Sequence, residues 1–183
     1  ALIQDEDQFV RRTAIEVINA HRDERAFDYL VQALQDPDWW VRERAMDALG
    51  TLGDERAISP LLELLDSEPS SRPAVVRTLG NIGSPRAIPH LVRRLEDSEV
   101  SVKQEVLDAL PKLADERSAA AIKRAIVGRT VQANATIQER AKAAIAEIDA
   151  GLAAHSTAAI EAPPITTPSP AEPPEQVNPA TLE

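Results

Sequence analysis

Residues 36–65, DPDWWVRERAMDALGTLGDERAISPLLELL, read as two amphipathic helices joined by a tight break at a glycine. Val41, Ala45, Ala48, Leu49 and Leu52 recur at helical spacing, which predicts a first helix over about residues 39–52 with one apolar face. Asp38 stands where an N-cap belongs, Gly53 marks the stop, and Asp54 caps the helix that follows. That second helix carries Ile58, Leu61, Leu62 and Leu65 on one side. Two short helices cannot cover both apolar faces by themselves, so the unit requires copies of itself on either side.

The copies are present at residues 5–34, 66–95 and 97–126. Matching Arg25, Arg56, Arg86 and Arg117 gives steps of 31, 30 and 31 residues. A fifth first helix is expected over residues 135–149, with Ile137 matching Val41 and Ile145 matching Leu49, after an inserted loop at about residues 127–134. Its second helix is absent from the pattern. Paired helices repeating at this period predict an all-α solenoid of about four helix pairs plus that fifth first helix. The expected division is a solenoid over residues 1–150 and a Pro-rich acidic tail over residues 151–183.

The units share a polar element. Asp5 and Arg11, Asp36 and Arg42, Asp66 and Arg72, and Asp97 and Lys103 are each six residues apart. The carboxylate falls at the start of each first helix and the cation in its first turn. Stacking at constant offset predicts a ladder, each cation bridging to the carboxylate of a neighbouring unit. On this Asp-x5-Arg spacing, the VRERAMDALGTLGDERAI core and the LLELLD ending, the chain resembles HEAT repeats, and among them the short HEAT-like repeats first named for the phycobilisome lyases. The resemblance covers about residues 5–149. It implies a right-handed α-α superhelix with the second helices lining its concave face.

Composition narrows the function. The 183 residues carry a net charge of −10, with −6 on residues 1–150 and −4 beyond. An acidic surface repels phosphate backbones, so nucleic acid is not the expected partner. Aromatic residues make up only 3%, leaving a core of Ala, Leu, Ile and Val, and there is no Cys to form a disulfide or act as a nucleophile. No apolar run reaches the length of a membrane span and no leader peptide is visible, so no membrane contact and a cytoplasmic location are expected.

Local breaks are also readable. Residues 1–4 align with residues 32–35 and read as the tail of a preceding second helix or as a cap, so a longer parent protein with an upstream repeat is expected. Pro73 predicts that the third first helix starts late, near Arg72. Pro111 predicts an end or kink near Leu110, while Pro60 and Pro89 should bend the first turns of their helices. Seven of the 14 prolines lie between Pro163 and Pro179, a stretch expected to be extended and disordered.

No residue pattern carries an enzyme. His21, His90 and His155 fall in three separate environments without a second ligand at metal spacing. All six glycines are isolated, so no phosphate loop exists, and Ser59, Ser67 and Ser70 have no base beside them. Asp54–Glu55 and Asp115–Glu116 fall at helix starts, where they cap. No catalytic residue, metal site or cofactor is expected.

Binding residues are a different matter. Trp39 and Trp40 cannot both face the core, because neighbours on a helix point about 100° apart, so one ring is expected at the surface. Either both cover the ridge between units one and two, or they form a partner contact. On the second helices the outward row Gln32, Glu63, Arg93 and Arg124 runs from neutral and acidic to basic. Arg93, Arg94, Lys123 and Arg124 are expected to form one cationic patch, with Tyr29 and His90 lining the groove. The alternative is that these cations serve only the C-terminal helix dipoles. The expected function is a non-catalytic protein–protein interaction scaffold whose partner offers an acidic segment to the Arg93 and Arg124 end. The alternative implied by the resemblance is a subunit of a phycobilin lyase acting on phycobiliproteins.

Overall fold

In a computed structural model, residues 2–21 and 24–161 are described, with side chains to residue 154. Nine α-helices are seen among them: α1 (Gln8–His21), α2 (Phe27–Ala33), α3 (Trp39–Leu52), α4 (Ile58–Ser67), α5 (Arg72–Ile82), α6 (Ile88–Arg94), α7 (Val100–Leu113), α8 (Ala119–Thr130) and α9 (Ala135–Glu161). The odd-numbered first helices stack in order, α1 on α3, α3 on α5, α5 on α7 and α7 on α9. Each second helix lies against the first helix of the following unit, α2 on α3, α4 on α5, α6 on α7 and α8 on α9. The two layers enclose one continuous apolar core running from Ile3 to Ile148. Every unit is thus completed by its neighbour, as the 30–31-residue period requires.

The turns between paired helices follow from a few residues. Gly53 and Gly83 adopt left-handed conformations, φ 67° and 79°, and their N–H groups donate to Leu49 and Leu79 carbonyls, closing α3 and α5. Asp54 and Ser84 then accept from the backbone N–H of Arg56 and Arg86, starting the short 3-10 turns that lead into α4 and α6. Pro60 and Pro89 sit in the first turns of these helices, where a missing N–H breaks no helical bond. The helix α5 begins at Arg72, as Pro73 predicts, and a 3-10 turn over Pro69–Ser71 precedes it.

Four expectations are corrected. Of the end or kink expected near Leu110, the end does not occur: α7 passes through Pro111 to Leu113, and both leucines are buried and hold the last turn in place. The first half of the expected loop at residues 127–134 is helix, since α8 extends to Thr130, whose hydroxyl donates to the Ile126 carbonyl at 2.8 Å while both residues are buried. The helix α9 runs on past residue 149 to Glu161, through an Ala-rich stretch that meets no proline before Pro163. The expected ladder of Asp and Arg is broken at one rung, as described below. The expectation of an extended tail over residues 162–183 lies outside the described residues. None of the described helices is long and apolar enough to cross a membrane.

Candidate protein-binding groove

Two rungs of the polar ladder form. Arg11 donates from Nε and Nη2 to both oxygens of Asp36, at 2.8 and 3.0 Å, and also from Nη1 to the Asp5 and Glu6 carbonyls. Arg72 reaches Asp97 at 3.4 Å. Asp36 and Asp97 are both buried, and each also accepts the N–H two residues on, from Asp38 and Glu99. The rung expected between Arg42 and Asp66 is missing. The helix α4 continues to Ser67, so Asp66 lies on its exposed last turn, where it pairs with Arg94 instead. Arg42 donates to the Asp36 and Pro37 carbonyls. A further link comes from Arg12, whose fork meets Asp38 at 2.5 and 3.1 Å. That contact, with the Trp40 N–H, holds the Asp38 carboxyl below the usual aspartate range despite its desolvation.

The tryptophans separate. Trp40 is half-buried against the core, with the Arg12 and Arg44 guanidiniums 5.6 and 5.7 Å from the centre of its ring. It fills the ridge between α1 and α3. Trp39 is 61% exposed. One ring therefore serves packing and the other is free at the surface.

On the second helices, all of the outward row is exposed: Gln32 on α2, Glu63 on α4, Arg93 on α6 and Arg124 on α8. The helices α6 and α8 are in contact, which brings the basic end of the row onto adjacent elements. Arg93 and Arg124 have no carboxylate partner among the described residues; the Arg124 Nε donates to the Ala120 carbonyl at 3.3 Å. The other two cations of the expected patch are engaged. Arg94 is half-buried and turned into the inter-unit layer, where it meets Asp66, Asp97 at 3.7 Å and the Leu65 carbonyl. Lys123 pairs with Asp149 of α9 at 2.5 Å. The available cationic surface is therefore Arg93 and Arg124, with exposed His90 beside them on α6. At the opposite end, Gln32 accepts a bond from the Gln4 amide at 2.7 Å, and Tyr29 lines a cleft against α1 rather than the neighbourhood of Arg93.

Apart from Tyr29, sequence reasoning missed the residues of that cleft. It has a volume of about 1010 Å³ and is walled by apolar side chains of α1, including Phe9, Val10, Val17 and Ile18, together with Leu2. Comparing Val17 with its counterparts in later units was the signal that would have found it. Among the described residues no group of three metal-binding side chains occurs.

A stack of helix pairs locked by inter-unit Arg–Asp contacts, with an exposed row along its second helices, defines an α-solenoid repeat protein. The chain belongs to the HEAT-repeat family, whose model matches residues 1–73 and 66–139. No curated protein matches it. Among solved structures, the complex of CpcE and CpcF of phycocyanin lyase from Nostoc sp. PCC7120 is similar, with TM-score 0.62 and 21% identity over 80% of this chain. This chain spans only 62% of that lyase chain's length. A designed armadillo repeat protein in complex with the peptide (KR)4 is similar at TM-score 0.61 and 21% identity, covering 80% of this chain and 79% of that one. An engineered protein is similar at TM-score 0.54 and 23% identity, covering 82% and 78%. At these identities the likenesses establish the shared fold.

Proposed function

We propose that this chain is a non-catalytic scaffold that binds another protein along its row of second helices, with Arg93 and Arg124 gripping an acidic segment of the partner. The observation that carries the reading is that these two guanidiniums stand exposed on adjacent helices without carboxylate partners among the described residues, while the neighbouring Arg94 and Lys123 are neutralised. Unpaired cations favour the approach of an acidic chain, and the helices that carry them need no ordering when it binds. Exposed Glu63 and Gln32 further along the row set a direction, since the acidic end repels what the basic end attracts. The designed armadillo relative, whose structure holds a basic peptide, supports peptide capture as a use of this architecture. Pull-down from the source cell tests the reading: Arg93→Glu combined with Arg124→Glu should lose the partner that the unaltered chain retains, and undiminished capture would refute it.

The likeness to the phycocyanin lyase complex favours a second reading, a subunit that attaches or removes a linear tetrapyrrole. It predicts covalent, red-shifted colour when bilin and an apo-phycobiliprotein subunit are added. Absence of adduct and of bilin binding would remove it.

A further inference from the structure

The two ends of the stack are built differently. At the C-terminal end, the position held by buried Ile15, Met46, Val76 and Leu107 in the four earlier units is occupied by Lys142, which is exposed and paired with Glu139. That is a polar cap, as an end unit requires. The first unit does the reverse. Val17 is 53% exposed, whereas its counterparts Ala48, Thr78, Ala109 and Ala144 are 5%, 2%, 2% and 0% exposed. Those counterparts are covered by the preceding first helix: the Thr78 hydroxyl lies 3.4 Å from the Met46 carbonyl, and Ala109 faces Gly80 so closely that a Cβ there would come within 2.7 Å. Phe9 and Leu2, 64% and 67% exposed, extend the same uncovered face around the cleft.

Two further observations say what covers it. Ile3 occupies the position of Leu34, Leu65 and Leu95, the buried last leucines of the second helices, and is itself only 6% exposed. Residues 2–4 therefore lie as the end of a second helix lies. Asp5 is arranged like Asp36 and Asp97, accepting the N–H two residues on, from Asp7, at 3.0 Å. Those two carboxylates each hold an Arg from the preceding unit, but no guanidinium reaches the Asp5 carboxylate among the described residues.

We infer that the α1 face bearing Phe9 and Val17 is an unfilled stacking interface that receives one more helix pair of the same repeat type, carried by the polypeptide leading into Leu2, with an Arg of that unit closing on Asp5. The occupant presents a small residue opposite Val17, as Gly80 does opposite Ala109, and apolar residues around it. A second copy joined head to tail does not fit, because the outer face of α9 carries Lys142 and Glu139.

The test joins a copy of residues 36–62 directly to residue 1 of the full chain, which keeps the 31-residue step and sets the copied Arg 25 residues before Asp5, the Arg11 to Asp36 separation. The extended chain should unfold in one transition with Tm raised by several degrees, and should lose the binding of an apolar-surface dye that the unextended chain shows. Val17→Glu should abolish the gain in the extended chain while leaving Tm of the unextended chain nearly unchanged. Two separate transitions, an unchanged Tm, or a gain that survives Val17→Glu would overturn the inference. So would sedimentation of the unextended chain as a dimer dispersed by Val17→Glu, since the face would then receive a second copy.

Discussion

The Arg11 guanidinium meets both oxygens of Asp36, 25 residues away, and so fastens the first helix of one unit to the start of the next. Arg42 makes the same backbone contacts as Arg11, to two carbonyls at the head of its own helix, without the carboxylate rung. The pair of residues therefore separates the two roles. Arg11→Ala should lower Tm by several degrees more than Arg42→Ala, and Arg11→Lys should recover only part, because an ammonium cannot reproduce the fork. Thermal unfolding of the three variants followed by circular dichroism checks this; equal losses from Arg11→Ala and Arg42→Ala would show that the rung contributes nothing.

The spacing between first helices is set by small residues, and two glycines discriminate. A Cβ at Gly80 would lie 2.7 Å from the Ala109 Cβ and 3.1 Å from its Cα, between two helix backbones. Gly80→Ala should therefore cost about 1–3 kcal/mol through forced separation of α5 and α7. At Gly50 the nearest atom is the Asn81 Cβ at 3.4 Å, an ordinary contact. Gly50→Ala should be neutral or stabilising by up to about 1 kcal/mol, as alanine favours the helix. Urea denaturation measures both.

How much of this was readable beforehand depended on whether the deciding contact was local. The units, the stop at Gly53 and the late start at Arg72 follow from residues within a turn or two of each other, and they are where the sequence places them. All of the outward row on the second helices is exposed, because helical spacing alone fixes it. The fate of individual cations is not local. Arg94 and Lys123 are taken up by Asp66 and Asp149, 28 and 26 residues away, and helical position does not reveal which rotamer meets which carboxylate. Pro111 does not stop α7 for a related reason: burial of Leu110 and Leu113 outweighs one lost helical bond.

The adjacent tryptophans should respond in opposite ways. Trp40→Ala should cost about 1–3 kcal/mol, since it empties the ridge between α1 and α3 and strips two guanidiniums of their ring. Trp39→Ala should change stability by less than about 0.5 kcal/mol, as exposed substitutions do. Chemical denaturation with a probe other than tryptophan fluorescence decides it. Equal losses would place both rings in the packing.

Acid should weaken the stack through its capping carboxylates. Arg12 holds the Asp38 carboxyl below its ordinary range, Arg56 does so for Asp54, and the Ser118 hydroxyl and N–H for Asp115. A carboxyl depressed in the folded chain contributes stability that is present above the unfolded value of about 3.9 and is lost as pH falls through the lower folded value. Tm should therefore decline from about pH 5 downward, and Asp38→Asn, already lacking that charge, should show a shallower decline. A parallel decline in both proteins would exclude Asp38 from the effect.

The central claim, that Arg93 and Arg124 form a working contact for an acidic chain, is tested most directly by titrating a labelled Glu-rich peptide and reading its fluorescence anisotropy. Binding should appear at low salt, weaken as salt is added, and fall by about tenfold or more when Arg93→Glu and Arg124→Glu are combined. Equal affinity for the two proteins, or no binding to the unaltered chain at low salt, would contradict it.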